Sequence, residues 1–305
     1  FDGEKIVMRL LSEDSKGLSL SEIGLRGDAL DKVHAYIKKP VGIILVTGPT
    51  GSGKTTTLYS ILEILNTPEV NISTVEDPIE YRMPRVNQTQ VKPEIGLSFA
   101  SGLRSLLRQD PNIIMVGEIR DEETASLAIN AALTGHLVLS TLHTNSAAGA
   151  LPRLLEMGVE PFLIASTVNI IVAQRLVRRL CETKDKTMMT GEAFGSLVGK
   201  INPEKIIREL KRDRIVDAKT TFEKIQWSHP GKSEECPDGY KGRLGIYELL
   251  EVTAPIKELI MKNSTSGDIE KRAREEGMIT MLEDGIIKAA EGRTTLEEIL
   301  RVTSE

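Results

Sequence analysis

Residues 48–55, Gly-Pro-Thr-Gly-Ser-Gly-Lys-Thr, constrain this chain more than any other stretch. They fill the pattern G-x-x-x-x-G-K-[ST] without a mismatch. An apolar run, Val41 to Val46, precedes them and suits a strand buried on both faces. After them Leu58, Ile61, Leu62 and Leu65 recur at the three- and four-residue steps of one helix face. The context is strand, loop, helix. Glycines let such a loop curl until its N–H groups, with the positive end of the next helix, converge on an anion. A plain Gly-rich turn would explain neither the Lys-Thr ending nor the agreement of both flanks. Gly48, Pro49, Thr50, Gly51, Ser52, Gly53, Lys54, Thr55 and Thr56 are therefore expected to form a nucleotide site. Lys54 would reach the β- and γ-phosphates, and the Thr55 hydroxyl would ligate Mg²⁺.

A chain of 305 residues has room for about two domains. Its net charge of −5 leaves no overall basic field for nucleic acid or anionic lipid, and aromatic residues at 4% are too scarce for base-stacking platforms. Its apolar runs are far shorter than a membrane span, and the N-terminus lacks the apolar core of a signal peptide. Two cysteines, Cys181 and Cys236, make no disulfide framework, and a reducing, cytosolic setting is expected.

Carboxylates follow two further strands. Asn71 to Val75 runs into Glu76, Asp77, Pro78, Ile79 and Glu80, and ligands of open parallel sheets bind at the strands' C-terminal ends. Such acids hold Mg²⁺ through water, orient an attacking water, or are simply solvated; the phosphate loop at the same sheet edge favours the first two. Ile113 to Val116 then leads into Gly117 and Glu118, four apolar residues and an acid in the Walker B arrangement. Glu118 is the leading residue for activating water or helping to hold the metal. Asp121 to Glu123 suit the N-terminus of the next helix better. Two of the four histidines bracket the strand Leu137 to Thr141; His136 precedes it and reads as structural, whereas His143 follows it and reads as a γ-phosphate sensor or subunit contact.

The remaining chain is less sharply marked. Lys5 to Leu11 reads as a strand left from a domain upstream, Ser12 to Leu25 as a polar linker, and Asp28 to Lys39 as a helix closed by Pro40. Gly102 to Pro111 reads as a basic-faced helix. Met157 to Arg179 has apolar residues at helical spacing, and Arg175, Arg178 and Arg179 are either a solvated helix end or reach a neighbouring subunit's nucleotide. Charged helices are expected over Glu182 to Lys224, then a turn feeding a strand over Gly239 to Tyr247. Helices follow to the end, the last opened by a capping box from Thr294 to Glu297.

Four boxes in order, Gly48–Thr55, Thr74–Tyr81, the Walker B stretch through Asp121, and Thr134–Thr144, resemble the Walker A, Asp, Walker B and His boxes of the type II secretion and type IV pilus assembly ATPases, the GspE/PilB family. The resemblance runs from about Gly3 to the C-terminus. It implies an α/β, RecA-like P-loop core with a mainly parallel sheet (26–180), after the remnant and linker (1–25), then a helical insertion (181–238) and a helical C-terminal subdomain (239–305). It also implies a homohexamer that hydrolyses Mg-ATP at the cytoplasmic side of the inner membrane and works on a platform protein there. Catalysis would fall to Glu118, Glu76, Glu80 and His143, and Mg²⁺ to Thr55, Asp77 and Glu118.

The sequence departs from the resemblance at two places. Members carry an N-terminal domain upstream, of which only a last strand is expected here. Assembly ATPases commonly bind zinc through two Cys-x-x-Cys pairs; Cys181 and Cys236 retain one cysteine at each place, too few for a structural site, so no zinc is expected. Two other functions compete with the assembly motor. A nucleic-acid translocase shares the core but is disfavoured by charge and composition, so no nucleic acid is expected; a non-hydrolysing nucleotide-gated scaffold is disfavoured by the intact Walker boxes.

Overall fold

In the computed structural model the described residues are Gly3 and 17–182, 184–188, 199, 201–234 and 236–304. The strand expected over residues 5–11 lies outside them. Seven strands form one sheet, β1 (Gly42–Thr47), β2 (Ile72–Glu76), β3 (Val86–Gln90), β4 (Ile113–Val116), β5 (Leu137–Leu142), β6 (Val168–Leu180) and β9 (Tyr240–Glu251), in the order β3-β2-β4-β5-β1-β6-β9. All neighbours are parallel except β9, which runs antiparallel to β6.

Parallel strands need crossovers, and helices supply them on both faces. On one face lie α1 (Gly27–Tyr36) and α2 (Lys54–Leu65). On the other lie α3 (Phe99–Leu106), α4 (Glu122–Leu133), α5 (Ala150–Glu156) and α6 (Pro161–Thr167). Every residue of β1 is buried; Ile43 and Leu45 enter the core under α3 to α6, while Ile44 and Val46 enter the core under α1 and α2. A strand covered on both faces carries no alternation, which is why β1 reads as a continuous apolar run.

The same physics explains the main difference from the sequence reading. The helical spacing expected over Met157–Arg179 is real only as far as Thr167; from Val168 the chain is the thirteen-residue strand β6. With β1 on one edge and β9 on the other, β6 is buried almost throughout, and a continuous apolar run fits either period. Val168, Ile170, Ile171, Val172 and Val177 are β-branched and favour the strand. Arg178 and Arg179 thus sit on a strand, not at a helix end. The edge strand β3, Val-Asn-Gln-Thr-Gln, is too polar to be recognised from periodicity and exists because it pairs with β2.

After β6 the segment expected to be helical holds α7 (Pro203–Arg212) but also a two-stranded ribbon, β7 (Lys184–Met188) against β8 (Gln226–Pro230). Cys181 and Cys236 are disulfide-bonded, contrary to the expectation that two cysteines make no disulfide framework. Pairing of β6 with β9 up to Leu180 opposite Tyr240 brings the two Cα atoms to 6.7 Å, a proximity hidden by 55 residues of separation. The strand expected from Tyr240 is β9, and it joins the core sheet. α8 (Ala254–Met261), α9 (Ser266–Glu275), α10 (Met281–Ala290) and α11 (Leu296–Thr303) follow.

Polar latches hold these last helices to the sheet. Lys288 of α10 is fully buried and donates to Gly245 O at 2.8 Å and Asp284 Oδ2 at 2.5 Å, while Asp284 also accepts the Tyr247 N–H at 2.8 Å. The cap of α11 falls one residue later than expected, on Thr295 with Glu298, because the Thr294 hydroxyl is used on Arg178 O at 2.8 Å. Glu298, 2% exposed, accepts from the Arg178 N–H, the Arg178 guanidinium and Arg301. Burial alone would raise its carboxyl, but the hydrogen bonds from Arg301 and Arg178 prevail and hold it at about 2. A carboxyl depressed in the folded state stabilises fully above its ordinary pKa of 4.5 and loses that contribution as pH falls through the folded value. The stability difference between wild type and Glu298→Gln, measured by urea unfolding, is therefore expected to be constant above pH 4.5 and to close as pH falls toward about 2.

Candidate nucleotide site

The phosphate loop leaves β1 beside β5 and β6, and a cleft of about 750 Å³ opens there at the C-terminal ends of the parallel strands. Gly48 has φ +149°, and a Cβ on it would collide with Gln174 O and the Ser52 hydroxyl. Gly53, with φ +88°, turns the chain into α2. Among the described residues the N–H groups of Gly51, Gly53, Lys54, Thr55 and Thr56 meet no acceptor, and the buried Ser52 Oγ has no partner. A curled loop with several unpaired donors at a helix N-terminus is chemically matched to phosphate oxygens. Lys54 Nζ donates to Gly48 O at 2.8 Å and Pro49 O at 3.1 Å, both within its own loop. Burial lowers the Lys54 ammonium from its ordinary value, and the Glu118 carboxylate opposes that.

Glu118 lies just past β4 on a backbone pinned from both sides. The Gly117 N–H donates to Val75 O at 2.8 Å, the Ile119 N–H to Thr141 O at 3.0 Å, and the Thr141 hydroxyl to Gly117 O at 2.7 Å. Its carboxylate, 9% exposed, is held by both oxygens: His143 Nε2 is 3.0 Å from Oε2, and Arg120 pairs with Oε1 at 2.5 Å. Two residues read independently from the sequence thus meet. His143 is carried by a loop that Thr47, the last residue of β1, holds through its hydroxyl: it donates to Leu142 O at 3.1 Å and accepts the Thr144 N–H at 3.0 Å. His136, at the other end of β5, contacts Ala131 O through Nδ1 at 2.8 Å and closes α4, a structural role.

The acidic stretch divides. Glu76 is the last residue of β2 rather than part of the loop beyond it, and it is buried. It accepts from the Tyr59 hydroxyl, from Thr74 Oγ1 at 2.5 Å and from Gln88 Nε2 at 3.2 Å. Burial first, and Glu76 next, push the Tyr59 phenol well above its ordinary value; burial pushes Tyr81, edge-on to Tyr59, up to about 12. Exposed Asp77 and half-buried Glu80 line the cleft with Thr55. Among the described residues no three His, Cys, Asp or Glu side chains gather as a metal cluster.

Sequence reasoning missed two residues. Arg120 stood inside the Walker B stretch without a role, although a base two residues from the key acid was a signal. Gln174 carried no local signal. It is 1% exposed on β6, donates Nε2 to Ser52 O at 2.6 Å, and accepts the Thr57 hydroxyl at 2.8 Å. It clamps the phosphate loop and the first turn of α2 to the sheet.

The family described as "Type II/IV secretion system protein" matches residues 1–301. The chain belongs to that family. It is 48% identical over 303 residues to the type II secretion system protein E of Xanthomonas campestris pv. campestris, covering 99% of this chain and 51% of that protein. It is 46% identical over 306 residues to the type IV pilus assembly ATPase PilB of Pseudomonas aeruginosa, covering 99% and 50%. The chain thus spans about half the length of these relatives. Among solved structures it superposes on the pilus retraction motor PilT with bound ADP at a TM-score of 0.68, 29% identity, and coverage of 97% of this chain and 69% of that one. The ATPase DotB of Legionella pneumophila shares the fold at a TM-score of 0.63 and 24% identity, over 94% and 65%. The α/β, RecA-like core with a mainly parallel sheet stands as expected.

Replacing Gln174 by Leu removes both clamp bonds at nearly constant volume and takes the Gln174 donor from the carbonyl of buried Ser52. At roughly 1–3 kcal/mol for such a loss, ADP affinity measured by calorimetry is expected to fall about tenfold or more.

Proposed function

We propose that this chain is the ATP-hydrolysing part of a homohexameric motor that powers assembly of a type IV pilus or a type II secretion pseudopilus. The observation that carries the reading is Glu118, held by His143 at 3.0 Å and Arg120 at 2.5 Å in the cleft that also contains Lys54 and the open phosphate loop. Relatives named as a pilus assembly ATPase and as a secretion system protein support the cellular role. No helix among the described residues is long and apolar enough to cross a membrane. The motor would work on an inner-membrane platform protein from the cytoplasmic side.

The residues divide the work as follows. The loop N–H groups and Lys54 bind the β- and γ-phosphates, Lys54 exchanging its loop carbonyls for phosphate oxygens. Mg²⁺, when bound, neutralises charge on those phosphates. It characteristically takes only one or two protein oxygens besides phosphates and water, so the Thr55 hydroxyl with Asp77 or Glu118, directly or through water, suffices without a protein cage. Glu118 orients the attacking water and accepts its proton on the carboxylate. His143 steadies that carboxylate and senses the γ-phosphate. Glu76 braces the floor through Tyr59 and Thr74, and Glu80 borders the water side.

Steady-state ATP turnover, measured beside native mass and with or without single-stranded DNA, tests the proposal. Lys54→Ala is expected to lose nucleotide binding and turnover, and Glu118→Gln to bind ATP while turning it over at least about a hundredfold more slowly. Undiminished turnover in either variant overturns the assignment, and strong stimulation by DNA transfers the core to nucleic-acid translocation.

A further inference from the structure

The loop that carries His143 is held at two points, and the second belongs to the C-terminal part of the chain. Thr47 holds Thr144 from β1. Three residues on, the Ala147 N–H donates to Glu248 Oε1 of β9 at 2.9 Å. Glu248 is 6% exposed, and its other oxygen accepts the N–H of Met281, the first residue of α10, at 3.4 Å. A carboxylate deep in a fold is costly unless its oxygens are satisfied. Here one oxygen serves the His143 loop and the other the positive end of a helix. Ala147, Ala148 and Ala150 are fully buried, so no water competes for the Ala147 N–H. Burial pushes the Glu248 carboxyl up; the Ala147 N–H opposes this first, then the Met281 N–H, while Glu270 and Arg274 of α9 act with opposite signs. Ala173, opposite Glu248 on β6, is also paired with Thr47 on β1, so both anchors of the loop lie on one line across the sheet.

We propose that Glu248 is a positioning residue for hydrolysis: it ties residues 143–149 to the N-terminus of α10 and thereby keeps His143 on the Glu118 carboxylate. The inference rests on the roles given above to Glu118 and His143. It adds a route by which the seating of the C-terminal helices sets the geometry at the phosphate end of the cleft. Glu248 touches no reacting atom; its action passes through the Ala147 amide.

Amide hydrogen exchange by mass spectrometry decides it, comparing wild type, Glu248→Gln and Glu248→Ala, beside ATP turnover and ATP binding. In Glu248→Ala both N–H groups lose their acceptor, and exchange over 143–150 is expected to rise about tenfold, with protection over β1 and β4 unchanged. Glu248→Gln keeps one acceptor oxygen and is expected to fall between. kcat should drop in the same order, by about tenfold in the alanine variant, with ATP affinity unchanged. A merely structural role would lower protection throughout and affinity together with kcat. Unchanged protection over 143–150, or a kcat equal to wild type in a variant whose loop has loosened, overturns the inference. Should Glu248→Ala fail to fold, Glu248→Gln is read by the same criteria. If the wild-type chain turns over no ATP, the hydrolytic reading fails while the exchange over 143–150 still decides whether Glu248 holds the loop.

Discussion

The parallel pairing of β1 on both edges is the constraint on which the cleft depends. Thr47, its last residue, stands level with Leu142 of β5 and Ala173 of β6. The phosphate loop, the His143 loop and Gln174 therefore emerge at one height on one side of the sheet, and β4 delivers Glu118 to the same edge. Helical crossovers cover both faces and bury each residue of β1, at roughly 1.5–3 kcal/mol for a large apolar side chain. That apolar floor lets the polar groups above it be aimed, because each is attached to a strand end that cannot tilt without breaking two ladders.

Around this floor the charges are arranged by mutual need. A nearly buried carboxylate such as Glu118 must be paired, and Arg120 and His143 supply the partners from the same edge. Lys54, half-buried, has only loop carbonyls and a more distant carboxylate for company. The arrangement holds more unpaired donors than acceptors near the loop, the condition under which a polyanionic phosphate binds well. Gln174 does its part without charge: a neutral amide serves a carbonyl and a hydroxyl at once, where an ion would have needed a counter-ion.

Beyond β6 the chain returns through β9 and fastens its last helices by single buried polar residues, Lys288 on Gly245 and Asp284, Glu298 on Arg178, and Glu248 on Ala147 and Met281. Each joins a helix, its N-terminus or a loop to the sheet through oriented hydrogen bonds, which fix angle and register more narrowly than apolar contact does. The C-terminal helices are consequently fastened to the sheet that carries the cleft.

What the sequence by itself determined depends on near neighbours: the loop of residues 48–55, the strand and acid of Walker B, the acids from Asp121 that open the next helix, and the placing of His143 after its strand. These are written in short-range patterns because a tight turn, a cap or a buried strand is satisfied within a few residues. The same locality misled over 168–180, where a run buried on both faces fits two periods and only pairing with β1 and β9 selected the strand. Tertiary structure alone decided the contacts between distant residues: Gln174 with Thr57, 117 positions apart, Glu248 with Ala147, 101 apart, and Cys181 with Cys236. Nothing in the local chemistry of a glutamine or a glutamate on a strand names its partner; that choice belongs to the sheet order, which brings remote strand ends to one edge.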